Sequence, residues 1–388
     1  MYTLLIAIIY LAFISLGLPD SLLGAGWPDM YEGFNVPVSY MGIISMIISG
    51  GTVISSLMSN MITRRFGVKS VTIFSVFLTA GAMIGFSFST AFWMLVICAI
   101  PYGLGAGAID AALNNYVAVH YKSKHMSWLH CFWGVGAIIS PFVMGYALST
   151  STWNDGYRIV GYVQIAIGVV LLLTLPLWKA NEDKTTEKQA KTSMIGALKI
   201  KGVPFWLIGF FAYGALEATA MYWASTYFVQ VKGIPTEQAA QFASLFYIGI
   251  TTGRLLGGFI TEKVGDRRMM LLGASILTIG IILLFIPVDN KLLAPSAFVI
   301  IGFGCAPIYP CIMHATPRNF GAENSGAIIG MQMAIAYVGT TFVPALFGLL
   351  GKAVGFDIMP IFLIVFTMLM IVMTELTFKV TKKNISNN

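Results

Sequence analysis

The sequence predicts an all-α membrane protein whose twelve transmembrane helices form two six-helix, pseudo-symmetric bundles. Three observations carry that expectation: the composition, the spacing of the apolar stretches, and an internal repeat of about half the chain. Of 388 residues, 57% are hydrophobic and only 10% are charged, and the mean hydropathy is +0.82. In soluble domains about a quarter of residues are charged.

The apolar stretches fall at 3–27, 37–62, 70–90, 92–118, 127–149, 157–178, 203–230, 236–260, 269–287, 292–315, 324–350 and 355–378. Each is long enough to cross a hydrocarbon core of about 30 Å. The first begins without a basic flank and runs directly into Pro19-Asp20, so it reads as a spanning helix rather than a cleaved signal. One long polar interval, 179–202, carries Glu182, Asp183, Lys184, Glu187, Lys188 and Lys191. It reads as a cytoplasmic linker between an N-terminal bundle, 1–178, and a C-terminal bundle with a short cytoplasmic tail, 203–388.

The charge distribution tests the helix count, because alternate loops must lie on opposite sides of the membrane. With both termini cytoplasmic, eighteen of the 23 basic residues fall in inside loops or the tail; only Arg158, Lys232, Lys291 and Lys352 fall outside, and Arg254 alone stays within a span. A soluble helical solenoid would need polar outer faces, which these helices lack. The net charge of +7 does not point to nucleic acid, since the basic residues are scattered among short loops instead of gathered on an arm or recognition helix. Cys98, Cys131, Cys305 and Cys311 lie in apolar segments without metal-site spacing and read as packing residues.

The repeat appears at an offset near 198 residues. Gly17-Leu18-Pro19-Asp20 aligns with Gly214-Ala215-Leu216-Glu217, Arg65-Phe66-Gly67 with Lys263-Val264-Gly265, and Gly103-Leu104-Gly105 with Gly302-Phe303-Gly304. The last match sets Asp110 opposite Tyr309. Parallel six-helix halves are a transporter design with the solute site near mid-membrane.

Four charges interrupt the spans: Asp20, Asp110, Glu217 and Arg254. A charge in a span faces protein, a cavity or a transported ion rather than lipid. At 100° per residue Gly103, Gly107, Asp110 and Asn114 share one stripe, as do Phe13, Asp20, Gly24 and Trp27, and Pro19 weakens the helix just before its acid. Carboxyl groups withdrawn from water can carry protons, which makes Asp20, Asp110 and Glu217 the candidates for proton coupling. The bland alternative for Asp110 is a hydrogen bond to Asn114 or a neighbouring helix. Arg254 can neutralise an acid, hydrogen-bond a solute, or snorkel to the cytoplasmic surface.

The loop between the eighth and ninth spans, Gly258 to Arg267, resembles the signature of the major facilitator superfamily, which runs Gly, three residues, Asp, Arg, any, Gly, Arg, basic. Glu262 stands at its acidic position and Gly265 at its second glycine. The first-half copy is degraded: Asn60 replaces the leading glycine and Arg64 the acid, while Arg65, Gly67 and Lys69 match. The resemblance implies that these loops, with Arg65, Gly67, Gly258, Glu262, Gly265 and Arg267, latch the cytoplasmic side of one conformation. Within the fourth span, Asp110-Ala111-Ala112-Leu113-Asn114-Asn115 resembles the fucose:proton symporter branch, as does Phe132-Trp133-Gly134-Val135-Gly136 in the fifth. That resemblance implies proton coupling and sugar binding at acids in the first and fourth spans, here Asp20 and Asp110.

Candidate solute contacts are Asn114, Asn115, His130, Trp133, Arg254, Tyr309 and Gln332. Aromatic faces stack on planar or sugar rings, and amides supply directional hydrogen bonds. A lone histidine such as His130, or any one of the span tyrosines, also serves as ordinary packing. His120 and His125 lie in a basic loop suited to lipid headgroups.

Three functions follow as expectations. The first is proton-coupled symport of a small polar solute, a monosaccharide by the span-four resemblance. The second is a proton-coupled antiporter that exports drugs or metabolites, and the third a non-transporting receptor or sensor. Sodium could replace the proton, with Asn114 or Asn115 as an oxygen ligand. No nucleotide loop or hydrolase motif has the context it needs, so an enzyme is not expected. Neither a cofactor nor a metal is expected. The expected partners are the solute, H+ and membrane lipid, for a functional monomer in the plasma membrane.

Overall fold

The computed structural model describes residues 2–178, 193–235, 244–287 and 291–386, together with 238, 239 and 242. The charged residues of the expected linker from Lys179 to Lys191 lie outside these described residues. Among the described residues all regular structure is helical. Eleven helical stretches among the described residues are long and apolar enough to cross a membrane. The remaining expected span, 236–260, begins partly outside the described residues and continues in Leu245–Val264, a 20-residue helix that carries Arg254 and, in its last turn beyond the span, Glu262 and Lys263. With it, the chain has the twelve-helix architecture that the hydropathy pattern predicts.

The chain groups into two compact units. The first comprises Met1–Tyr116 and Leu129–Lys191, and the second Val117–Trp128 and Thr192–Asn388. The first unit contains α1 (Tyr2–Gly17), α2 (Leu22–Gly33), α3 (Met41–Phe66), α4 (Val68–Ser87), most of α5 (Phe92–His120) and α6 (Ser123–Thr150), and α7 (Trp153–Leu173). The facing ends of α5 and α6 and the turn that joins them group with the second unit.

The first expected span is broken between α1 and α2. Pro19 has no N–H to donate to the carbonyl of Ser15 one turn earlier. That carbonyl instead accepts from Gln164 Nε2 of α7 at 2.7 Å. The break is thus bonded across helices, which holds Asp20 at a fixed corner. Glycine contacts set where that corner points. A Cβ on Gly17 would lie 2.1 Å from Trp133 O, and one on Gly136 would lie 2.3 Å from Ile14 O. The backbones of α1 and α6 therefore touch, and Asp20 follows three residues after the contact.

The second unit holds the short α8 (Met194–Leu198), then α9 (Val203–Gln230), α10 (Leu245–Val264), α11 (Asp266–Leu284), α12 (Leu293–Cys305), α13 (Ile308–Phe320), α14 (Ala322–Val354) and α15 (Met359–Ser386). The tenth expected span is divided at Ala306-Pro307 into α12 and α13, which the hydropathy pattern alone does not predict.

The sequence repeat is also a packing repeat. In the first unit a Cβ on Gly103 would meet Ile48 O at 2.3 Å, and Gly51 packs on Gly103. In the second a Cβ on Gly302 would meet Phe246 O at 2.3 Å, and one on Gly249 would meet Val299 O at 2.2 Å. Both glycine pairs let the second and fourth helices of their half approach backbone to backbone. The corner glycines repeat as well: Gly67 has φ 79° and ψ 154°, and Gly265 has φ 85° and ψ 151°. Each donates its N–H to a threonine carbonyl four residues earlier, Thr63 or Thr261, at 2.8 Å. Positive φ is open to glycine at little cost, which accounts for the residue type at both corners.

Candidate functional site

Helices α5 and α6 carry most of the candidate site of the first unit, and the corner before α2 supplies its first acid. Asp20 is exposed. Its Oδ1 accepts from the Tyr102 hydroxyl at 2.6 Å, and its Oδ2 accepts from Trp133 Nε1 at 2.8 Å. Both donors are neutral, and among the described residues Asp20 makes no ion pair. Tyr102 was one of several span aromatics in the sequence, and only the geometry distinguishes it.

Asp110 is buried, at 5% exposure. Asn114 Nδ2 donates to its Oδ1 at 2.7 Å and to its backbone carbonyl at 2.9 Å. On the other side Asn114 Oδ1 lies 3.0 Å from His130 Nε2. The His130 ring meets the Phe13 ring edge-on, with centroids 5.5 Å apart. The bland expectation for Asp110, a bond to Asn114, is therefore met, and it extends into a three-residue chain. Asn115 is also buried. The glycine end of the span-four stripe packs elsewhere: a Cβ on Gly107 would meet Thr52 O of α3 at 2.3 Å. Close packing and polar function thus occupy successive turns of one stripe.

In the second unit Arg254 NH2 lies 3.3 Å from Glu217 Oε1, with side-chain exposures of 6% and 19%. Of the three roles open to Arg254, neutralising an acid is the one the geometry displays. Burial removes snorkelling. Tyr309 packs against Phe210 and Tyr213 at centroid distances of 5.0 and 6.1 Å. Its hydroxyl donates to Met333 Sδ at 3.3 Å. Gln332 is fully buried. Its Oε1 accepts from Thr316 Oγ1 at 2.9 Å, and Thr316 Oγ1 accepts from Trp206 Nε1 at 2.9 Å. Its place is in a network joining α9, α13 and α14.

Of the expected latch residues of the second half, Gly258 and Glu262 contact the segment Val117–Trp128, which holds the facing ends of α5 and α6 and their turn. Glu262 pairs with Lys122 and, at 3.3 Å, with Lys124. The hydrogen bond from Lys122, and then that from Lys124, holds the Glu262 carboxyl below its ordinary pKa. Gly258 leaves room for the Trp128 indole, which a Cβ would meet at 2.1 Å. Arg267 Nε donates to Glu375 at 2.9 Å and its guanidinium lies over Phe378. Arg65 and Gly67 belong to the first unit, where the Arg65 guanidinium lies over the Phe66 ring at 5.4 Å. Sequence reasoning passed over Asp266, which accepts from Ser123 Oγ and lies 2.8 Å from His314 Nδ1. The signal was available: Asp266 stands where the loop signature has arginine.

The sequence profile of the Major Facilitator Superfamily matches residues 9–331 and 237–388. The chain belongs to this superfamily. Among similar proteins, the Saccharomyces cerevisiae Bypass of stop codon protein 6 is 22% identical, covering 90% of this chain and 77% of its own. The glucose/mannose transporter GlcP of Bacillus subtilis is 21% identical over 78% of this chain and 77% of its own. The solved structure of the E. coli fucose:proton symporter FucP superposes with a TM-score of 0.80 at 16% identity, covering 97% of this chain and 99% of that one. At such identity the likeness establishes the shared superfamily fold, and the residues above must carry the chemistry.

Proposed function

We propose that this superfamily transporter moves a small neutral polar solute, a monosaccharide, in symport with protons by alternating access. Asp20 carries the reading: an exposed carboxylate in a membrane span, hydrogen-bonded on both oxygens by neutral donors. A carboxylate with no fixed cation beside it can be neutralised by a proton that arrives with the solute and leaves on the other side. If solute binds better to the protonated form, a proton gradient drives it uphill. Asp110, on the same helix as Tyr102, is the second carrier, and Glu217 answers to Arg254 in the other half.

Charge also favours a hydroxyl-rich solute over an anion. Like charges 4 Å apart repel by roughly 4 kcal/mol at an effective dielectric of 20, so an anion is opposed whenever Asp20 or Asp110 is ionised, whereas a sugar hydroxyl can donate to the ionised carboxylate and accept from the protonated carboxyl. Trp133, held by its bond to Asp20, offers a ring face for stacking. The names of GlcP and FucP, a glucose/mannose transporter and a fucose:proton symporter, agree with this choice. The protein would act as a monomer in the plasma membrane, with both termini cytoplasmic.

The test is proton-linked uptake into proteoliposomes across a panel of sugars and drugs. Wild type should alkalinise the outside when sugar is added, and Asp20→Asn or Asp110→Asn should abolish gradient-driven uptake while keeping solute exchange. Unchanged pH-dependent uptake in both variants would remove the mechanism. Solute leaving as protons enter would establish the exporting antiporter instead.

A further inference from the structure

We infer that Asn114 is a positioning residue rather than a solute contact: its amide fixes the Asp110 carboxylate on one side and obliges His130 to carry its proton on Nε2 on the other. The inference rests on Asp110 belonging to the transport site proposed above, and it assigns the two neighbours distinct duties within it.

The atoms around Asn114 decide which way its amide faces. Two atoms of Asp110 lie within hydrogen-bond distance of Asn114 Nδ2, the backbone carbonyl at 2.9 Å and Oδ1 at 2.7 Å. A carbonyl oxygen can only accept. Turning the amide over would set Asn114 Oδ1 against that carbonyl, so the NH2 group has one allowed orientation. The spacing of four residues on one helix brings these atoms together, because side chains point back toward the preceding turn.

With the NH2 group committed, Asn114 Oδ1 faces His130 Nε2 at 3.0 Å. An amide oxygen has no proton to give, so the ring nitrogen must supply one. Exposures of 5%, 0% and 6% for Asp110, Asn114 and His130 leave little room for water to replace either bond. The edge-on contact of Phe13 restrains the imidazole from turning over. In the neutral ring Nδ1 then bears the lone pair.

The backbone carbonyl has a further consequence. It accepts whether the Asp110 side chain is charged or protonated, so the amide and the histidine tautomer stay fixed while Asp110 gains and loses a proton.

Nitrogen-15 NMR of histidine-labelled protein in lipid nanodiscs at alkaline pH reads the tautomer directly. The chain has four histidines, and the His130 signals are those lost in His130→Gln. Wild type and Asp110→Asn should both show His130 protonated on Nε2, and Asn114→Leu should show a mixture; Asn114→Ser replaces it if the leucine variant does not fold. Uptake of the sugar found in the panel supplies the second reading. His130→Gln, whose Nε2 reaches the same position, should keep uptake within about threefold, and His130→Asn, one bond short, should lose about tenfold, the scale of one buried hydrogen bond. An Nδ1–H ring in wild type, an unchanged spectrum in the Asn114 variants, or failure of His130→Gln would each overturn the inference. Absence of any proton-driven uptake would defeat the symport reading while the tautomer result stood.

Discussion

Replacing Arg254 by methionine tests how the second unit holds its acid. The pair lies at 3.3 Å with Arg254 at 6% and Glu217 at 19% exposure, and removing one partner of a buried pair costs about 3–5 kcal/mol. Two features place the cost at the low end. Glu217 keeps some accessible surface, and an uncompensated carboxylate can escape by taking a proton. From an ordinary glutamate value, protonation at pH 7 costs about 4 kcal/mol, which caps the penalty. At pH 5 the same cap falls to about 1 kcal/mol. We therefore expect Arg254→Met to lose about 3 kcal/mol at pH 7 and under about 1 kcal/mol at pH 5, read by thermal unfolding of the purified protein in detergent. The double variant Glu217→Gln/Arg254→Met removes both charges of the pair and should recover most of the loss. A double variant no more stable than the single, or a deficit constant from pH 7 to pH 5, would refute the reasoning.

Three further outcomes follow from the first unit and from the turn Val117–Trp128. Tyr102→Phe removes a donor to Asp20 without changing shape; a hydrogen bond to a charged group contributes about 1.5–3 kcal/mol, so sugar uptake should fall at least about tenfold, whereas Tyr146→Phe at a 64% exposed site should not change it. Gly17→Val would drive a side chain into Trp133 O and should abolish monodisperse protein on size exclusion, while Gly145→Ala, with nothing within 4 Å, should leave the elution profile unchanged. Because Glu262 titrates below its unfolded value, its contribution is full above the unfolded pKa and is lost as pH falls through the lower folded one. Its partners are partly exposed, so the contact should also weaken in salt. Maleimide labelling of Trp128→Cys should accelerate at 1 M salt and in Glu262→Gln, and labelling equally slow under all conditions would show that the pair does not hold the turn.

The fold was legible because the membrane imposes one pattern on many residues. Span length, loop charge and the repeated Gly17-to-Asp20 and Gly214-to-Glu217 segments each point to the same twelve helices, and Pro19 marks a break that Gln164 then satisfies. The site was legible only as a set of residue types. Asp20 and Asp110 stand out as charges in apolar helices, but nothing in one dimension says that Tyr102 and Trp133 share the first or that Asn114 spans from the second to His130. Those contacts depend on the rotation of α5 and α6 about their axes, which glycine approaches at Gly17, Gly103 and Gly136 determine. Gln332 shows the limit of residue type: Thr316 satisfies its Oε1 inside the protein, while its buried Nε2 has no hydrogen-bond partner among the described residues, and neither fact can be read from a polar letter in a span. Arg254 left three readings open because sequence distance from the surface does not report burial.

The two corners at Gly67 and Gly265 differ by only 6° in φ and 3° in ψ, although the residues around them have diverged. A duplicated gene can exchange nearly every side chain, but a turn that demands a left-handed torsion admits few substitutes. The same torsion recurs at Gly321, with φ 86° and ψ 142°, so it belongs to the tight helix corner wherever one is needed, and a side chain at any of these joints would strain the chain where one span hands over to the next.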